Sequence, residues 1–302
     1  MICTGPLKST EATRRAYAAD WLHFTEWCLL AGRSPLPASP ETVAAYLPSM
    51  AATHARATIR RRLQGIARAH RMKGLPFDAR HPTIRDTLRG LLRRHGAPAR
   101  KAAALTTAEV KRLVATCDGT AAGTRDRALL LLGFAGALRR AELAAVEREH
   151  VTFTAEGLRL LIPRAKGDAE GRGAEIGMPR GAKAETCPVR ARERWLAVSG
   201  CRFGPVVRKV DRWGGIERHA LRPEAVGTIL KRRAAAAGLS ATGLERLTAH
   251  GLRAGFITQA YQAGARDEEI MAHTRHRDLA TMRGYVRRAK LVSESPVKKL
   301  GL

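Results

Sequence analysis

The chain has 302 residues, 45% of them apolar, enough for one large or two modest domains that each bury a core. Its charge is far from ordinary: 54 Lys and Arg against 27 Asp and Glu leave a formal +27, which calls for a polyanionic partner, nucleic acid first. A ribosomal or other RNA-binding role, or an Arg- and Ala-rich genomic bias, also accounts for part of that excess. Five scattered cysteines without a C-x-x-C pair point away from a disulfide framework and a thiolate zinc site. No run of 18 apolar residues and no signal-like leader occurs, so the expectation is a soluble, cytoplasmic, reduced protein with no membrane partner.

The first 95 or so residues read as consecutive helices. In "STEATRRAYAADWLHFTEWCLLAG", Ser9, Thr10 and Glu11 suit a helix start. Tyr17, Trp21, Phe24 and Cys28 form an apolar stripe, and Gly32 ends it. Ser39 and Pro40 open a second helix as N-cap and first helical residue. In "THARATIRRRLQGIARAHRMKG", Ile59, Leu63, Ile66 and His70 make a buried stripe, while Arg60, Arg61, Arg68 and Arg71 lie away from it. That one-signed face is either solvated or laid on DNA.

"RRHGAPARKAAALT" reads as a linker, with residues 97–104 separating a helical domain (1–96) from a second domain (105–302). Thr106 and Glu109 form a capping box. "TRDRALLLLGFAGALRRAELAAV" predicts a buried helix, a turn at Gly136 and another helix. Strands follow in "HVTFT", "LRLLIP" and "AEIGMP", the last two joined by the hairpin tip "RAKGDAEGRG". From about residue 185 the pattern returns to helices, with a start at Arg222-Pro223 and a stop at Gly238.

Three separated stretches carry candidate chemistry. "GALRRAEL" places Arg139 after a turn and Glu142 three residues on. "AHGLRAGF" places His250 and Arg253 on one face of a helix start. "TRHRDLATMRGYVRRA" holds His276 and, nine residues later, Tyr285, among Arg275, Arg283 and other arginines. Helix starts favour anions, and His and Arg strengthen that preference.

These pieces, in this order, resemble the tyrosine recombinase (phage integrase) family. Arg139, "HGLR" at 250–253, His276 and Tyr285 carry the likeness, and "IPRAKGDAEGRGAEIGMPRG" is similar to the family's catalytic β-hairpin, with Lys166 at its lysine. The N-terminal helices, linker and length look Cre-like. The resemblance implies a mostly α fold with a small antiparallel β-sheet. A helical N-terminal core-binding domain and an α+β catalytic domain would form a C-shaped clamp on DNA.

It also implies roles. Arg139 and Arg253 would donate paired hydrogen bonds to the non-bridging phosphate oxygens. Tyr285 would attack phosphorus. A phenol, with a reference pKa of ~10, is scarcely ionised at neutral pH, so His250 would take its proton. His276 would hydrogen-bond a phosphate oxygen, Lys166 would protonate the departing 5′ oxygen, and Glu142 would orient the arginine or lysine from behind. Arg60, Arg61, Arg68, Arg71, Arg275 and Arg283 would hold DNA backbone. No metal and no nucleotide cofactor is implied.

The expected partners are double-stranded DNA bearing a specific site, three further copies of the chain in a homotetramer on two sites, and accessory proteins. The setting would be prokaryotic or phage-encoded, with action at the nucleoid. Blander readings stand beside these: Arg139 ion-paired with Glu142 or Glu147, His250 as a cap, His276 and Tyr285 as core residues, and Arg164 or Arg172 in place of Lys166. A zinc site of His250, His273 and His276 is disfavoured because no carboxylate or thiolate accompanies them. Topoisomerase-like relaxation and a silent DNA-binding role on the same scaffold are the alternative functions. Two departures from the family pattern stand out: Arg275 precedes the second histidine, and Ala137 precedes "LR", both where glycine is frequent.

Overall fold

The computed structural model describes residues 11–95, 100–163, 173–241, 245–293 and 295–300. The chain divides into two compact units, residues 1–99 and 100–302. The expected caps Ser9 and Thr10, Gly96, linker positions 97–99, and the hairpin tip with Arg164, Lys166 and Arg172 lie outside the described residues.

The first unit is a four-helix assembly: α1 (Glu11–Leu30), α2 (Pro40–Ser49), α3 (Arg56–Met72) and α4 (Pro82–Arg94). Ser39 caps α2 by accepting from the Thr42 amide at 3.2 Å. The stripe expected on α3 is buried, with Ile59, Leu63, Ile66 and His70 at most 5% exposed. His70 is fixed at both nitrogens: Nε2 accepts from the Ala38 amide (2.8 Å) and Nδ1 donates to the Ile66 carbonyl (2.9 Å). Gly65 faces α1, where a Cβ would stand in ordinary contact, 3.4 Å from that of Asp20.

The second unit begins with β1 (Lys101–Ala102). Helices α5 (Thr107–Ala115), α6 (Ala121–Ala135) and α7 (Arg140–Ala144) come next, then strands β2 (Val151–Phe153), β3 (Gly157–Ile162) and β4 (Ala174–Pro179). Those strands form one antiparallel sheet in the order β2-β3-β4, with Ile162 opposite Ala174 and Gly157 opposite Pro179. Helix α8 (Pro188–Ser199), strands β5 (Arg208–Val210) and β6 (Ile216–Ala220), helix α9 (Pro223–Ala236) and strand β7 (Glu245–Arg246) follow. The unit ends with α10 (His250–Gln262), α11 (Asp267–Thr274) and α12 (Leu279–Ser293). The fold is mostly helical with small sheets, as expected. The capping box of Thr106 and Glu109 forms at the start of α5.

Helix α6 is the axis of this unit. Leu129 to Leu132 are all nearly buried, as a helix apolar on every side must be. Asp126, also buried, receives Arg125, Arg232 and Arg233 at 2.7–2.8 Å and so ties α6 to α9.

Two features were not expected. The β5–β6 hairpin lies in a stretch read as helical. Its turn is made by Asp211, whose Oδ1 accepts from the Trp213 and Gly215 amides at 2.8 Å each. Strands β1 and β7 pair in parallel, so one of the small sheets is not antiparallel. Beyond β1 the backbone runs close to α10: the Leu105 amide donates to the Gly251 carbonyl at 3.1 Å. A Cβ at Gly251 would lie 2.4 Å from the Ala103 carbonyl oxygen, and one at Gly255 would lie 1.9 Å from that of Leu105. Only glycine permits that approach.

Candidate active site

Tyr285 reaches the site from α12, a longer helix than expected. Asp278 caps it by accepting from the Ala280 and Thr281 amides at 3.1 and 3.0 Å. The tyrosine ring rests against a small core of Ile257, Ile270, Met282 and Val286, so its body is packed while its hydroxyl faces the site. The Oη atom lies 2.6 Å from His250 Nε2. With the imidazole proton on Nδ1, Nε2 accepts the phenolic hydrogen. The His276 ring is 6.1 Å from the Tyr285 ring and the His250 ring 5.8 Å, so both histidines lie near the phenol.

The turn between α6 and α7 supplies Arg139 at the start of α7. Glu142 is shared. One carboxylate oxygen accepts from Arg139 Nη1 at 2.6 Å, and the other accepts from the Arg139 amide at 2.9 Å and from Arg275 Nη2 at 3.0 Å. The expected ion pair of Arg139 with Glu142 is therefore present, with Arg275 as a third member. Burial opposes ionisation of Glu142, but the amide hydrogen bond and the two guanidiniums outweigh it and hold its carboxyl below the usual range.

Arg253 sits beneath this layer, fully buried. Its Nη1 donates to the Ala137 carbonyl at 2.7 Å and its Nη2 to the Thr274 carbonyl, with both nitrogens of the His276 ring 3.3–3.4 Å from Nη2. Desolvation, reinforced by Arg139 and Arg275, brings its pKa down to about 10, which leaves it protonated at neutral pH. Direct donation to phosphate was expected of both arginines, but in this structure only Arg139 is open to an incoming anion. Arg253 faces backbone carbonyls, because its helix enters below the 136–138 turn.

Three guanidiniums and one carboxylate leave two net positive charges (+3 − 1 = +2). A phosphodiester brings one negative charge, and the five-coordinate state of its substitution carries two. Such an excess would match that transition state more closely than the ground state.

Arg275 is turned inward, its side chain 7% exposed, and so does not face a DNA backbone as was expected of it. It ends α11 in the left-handed region at φ 60°, a conformation that costs a non-glycine residue about 1 kcal/mol. Ala137 is also left-handed, at φ 45°.

His276 is held by Thr274, whose hydroxyl donates to the Ile270 carbonyl at 2.6 Å and lies 2.7 Å from His276 Nδ1. Burial, then Arg253 and Arg139, push the His276 pKa down from 6.5 to about 4. The unfolded chain takes up this proton near pH 6.5 and the folded one near 4. Between those values the unfolded state binds more protons, so folding stability falls with falling pH. Melting temperature measured from pH 7 to 4.5 is expected to fall more steeply in the wild type than in His276→Gln. Equal slopes would remove His276 from this effect.

The remaining expected contacts separate. Arg283 pairs with Asp267 at 2.7 Å while still half exposed. In the first unit Arg60 and Arg71 are exposed, Arg68 lies over the Tyr17 ring at 5.6 Å, and Arg61 makes a two-pronged pair with buried Asp20 at 2.8 Å. His273 stacks on Phe256 and donates Nε2–H to the Ala135 carbonyl at 2.7 Å, which takes that nitrogen out of any ligand set. Among the described residues no group of three or more His, Cys, Asp or Glu is placed to hold a metal, and no helix is long and apolar enough to cross a membrane.

One feature was missed. A cleft of about 410 Å³ opens beside the tyrosine, lined by Arg100, Lys101, Arg246, Thr248, His250 and Tyr285. The basic run at 100–101 had been read only as linker; its pairing with β7 could not be seen from local pattern.

Residues 103–291 match the phage integrase family. An integrase/recombinase XerD homolog from Selenomonas ruminantium is 33% identical over 295 residues, covering 95% of this chain and 85% of that protein. The XerH site-specific recombinase, solved with palindromic difH substrate in a post-cleavage complex, has a similar fold. Its TM-score is 0.67 at 17% identity, over 94% of this chain and 79% of that one. A lambda integrase tetramer bound to a Holliday junction gives 0.63 at 14% identity, over 94% and 73%. Nothing in these similarities points to Cre in particular. The chain therefore belongs to the phage integrase family of tyrosine recombinases.

Proposed function

We propose that the protein is a site-specific recombinase that cuts and rejoins duplex DNA through Tyr285. Oη attacks the scissile phosphorus, the phenolic proton passes to His250, and the bond from phosphorus to the 5′ oxygen breaks. The products are a 3′-phosphotyrosyl bond and a 5′ hydroxyl, the latter protonated by Lys166. Arg139 and Arg253 neutralise the charge that builds on the non-bridging oxygens, and the phosphotyrosine conserves the bond for rejoining to a partner strand through a Holliday junction. The observation that carries this reading is the 2.6 Å contact between His250 Nε2 and Tyr285 Oη, within one chain.

Residues 1–96 act as a helical DNA-binding domain, joined by 97–104 to the catalytic domain 105–302. Arg60, Arg68 and Arg71 in the first and Arg283 in the second contact backbone. The basic cleft of Arg100, Lys101 and Arg246 gives the strand next to the scissile phosphate a cationic wall. Assembly as a tetramer on two sites is supported by the lambda integrase tetramer on its junction.

The direct test incubates the full chain with a nicked duplex of a candidate site and digests the product. A nucleotide-bearing peptide containing Tyr285 is expected in the mass spectrum. No adduct on any site that the protein binds, or an adduct on another residue, would sink the assignment.

A further inference from the structure

Arg275 and Ala137 are the two non-glycine residues with a left-handed backbone among the described residues. Their groups meet. Arg275 Nη2 lies 3.3 Å from the Ala137 carbonyl, and Nη1 donates to the His273 carbonyl at 2.8 Å and reaches that of Gly136 at 3.4 Å. The Ala137 carbonyl is also the acceptor for Arg253 Nη1, and the Glu142 carboxylate that takes Arg275 Nη2 is the one that holds Arg139. One buried guanidinium thus touches an acceptor of each of the other two site arginines.

We propose that Arg275 is a positioning residue for cleavage. It braces Glu142 and the 136–137 turn from inside, so that Arg139 is presented to the scissile phosphate while buried Arg253 stays anchored behind it. This rests on the recombinase reading above and adds a residue that acts through two others without touching the DNA.

The chemistry favours a brace over a contact. A planar fork with five N–H donors can serve a carboxylate and several carbonyls at once, which an ammonium cannot. When phosphate draws Arg139 Nη1 away from Glu142, the carboxylate keeps Arg275 as counter-charge and does not pull the arginine back. Without Arg275, Glu142 would have Arg139 as its only guanidinium partner among the described residues and would compete with the phosphate for it. The left-handed backbone is retained against its conformational preference because the side chain meets four acceptors around the turn.

The test compares wild type, Arg275→Gly, Arg275→Lys, Glu142→Gln and the double variant Glu142→Gln/Arg275→Gly. Glycine suits the backbone at 275, so the first variant is expected to fold. At saturating DNA its first-strand cleavage should fall by roughly 10- to 100-fold, the scale of a small displacement of a catalytic group. Duplex affinity and its salt dependence should stay within about twofold, since no phosphate contact is lost. Lysine should recover part of the rate, and the double variant should be no slower than Glu142→Gln alone.

A second readout needs no chemistry: the rise in melting temperature caused by inorganic sulfate should shrink by at least about half in Arg275→Gly, because Arg139 is no longer held ready. Wild-type or faster cleavage by Arg275→Gly would overturn the proposal. So would a loss confined to affinity, losses that simply add with Glu142→Gln, or equal stabilisation by sulfate. If the wild type itself forms no adduct, the recombinase reading fails, and the sulfate comparison still decides the role of Arg275.

Discussion

Tyr285→Phe is expected to bind site DNA as the wild type does and to form no covalent adduct, with cleavage lowered on the order of 10⁴-fold or more, as for loss of other catalytic nucleophiles. The substitution isolates the oxygen. The ring stays packed on Ile257, Ile270, Met282 and Val286, so the position of α12 and the melting temperature should hardly change. What disappears is the group 2.6 Å from His250 Nε2. The aromatic body and the arginines remain, so duplex affinity survives. The comparison needs only a denaturing gel for adduct and a binding isotherm for the uncut duplex. Persistent adduct in the variant would mean that another side chain attacks, and loss of binding would mean that the hydroxyl serves recognition instead of chemistry.

Glu142→Ala should be the most damaging single change for stability among the site residues. Glu142 is 5% exposed and is the carboxylate between Arg139 and Arg275, with Arg253 close behind. Its removal leaves like charges buried together and strips the Arg139 amide of its acceptor at the start of α7. Breaking a buried pair by deleting one partner costs about 3–5 kcal/mol. For a unit of this size that is a fall of roughly 10 °C in melting temperature. Glu142→Gln keeps the shape and the amide hydrogen bond and should lose less. The check is thermal unfolding of the three proteins side by side at neutral pH. Equal melting temperatures for Glu142→Ala and wild type would show that the guanidiniums find water readily, and that the site is looser than its burial indicates.

Much of the fold and the outline of the site were legible because their signals are local or ordered along the chain. The α3 stripe, the Ser39 and Thr106 caps, the Gly136 turn and the three strands of the main sheet each follow from residue spacing. The order Arg139, His250, Arg253, His276, Tyr285 carried the family, which the similarity to a XerD homolog supports; the Cre-like shading of that reading has no such support. What stayed hidden depends on pairing across distance. The inward turn of Arg275 depends on Glu142, 133 residues earlier, and no local pattern distinguishes a basic residue facing DNA from one facing a buried carboxylate. Arg61 is the same case in the first unit, claimed by Asp20. The β5–β6 hairpin was missed because the Asp211 turn signal lies between short strands with little alternation, and β1–β7 because two-residue strands have no pattern of their own.

The stitching of residues 101–105 to the base of α10 bears on how the protein can be taken apart. The backbone pairs Lys101 with Glu245, and two carbonyls fill the space that side chains at 251 and 255 would need. From Lys101 the segment is thus part of the seat on which His250 stands. An insertion or deletion within residues 101–105 would break that pairing. An exchange of the first unit, in evolution or by engineering, preserves that seat if residue 100 onward is kept. A cut a few residues later would carry away the footing of the catalytic helix together with that unit.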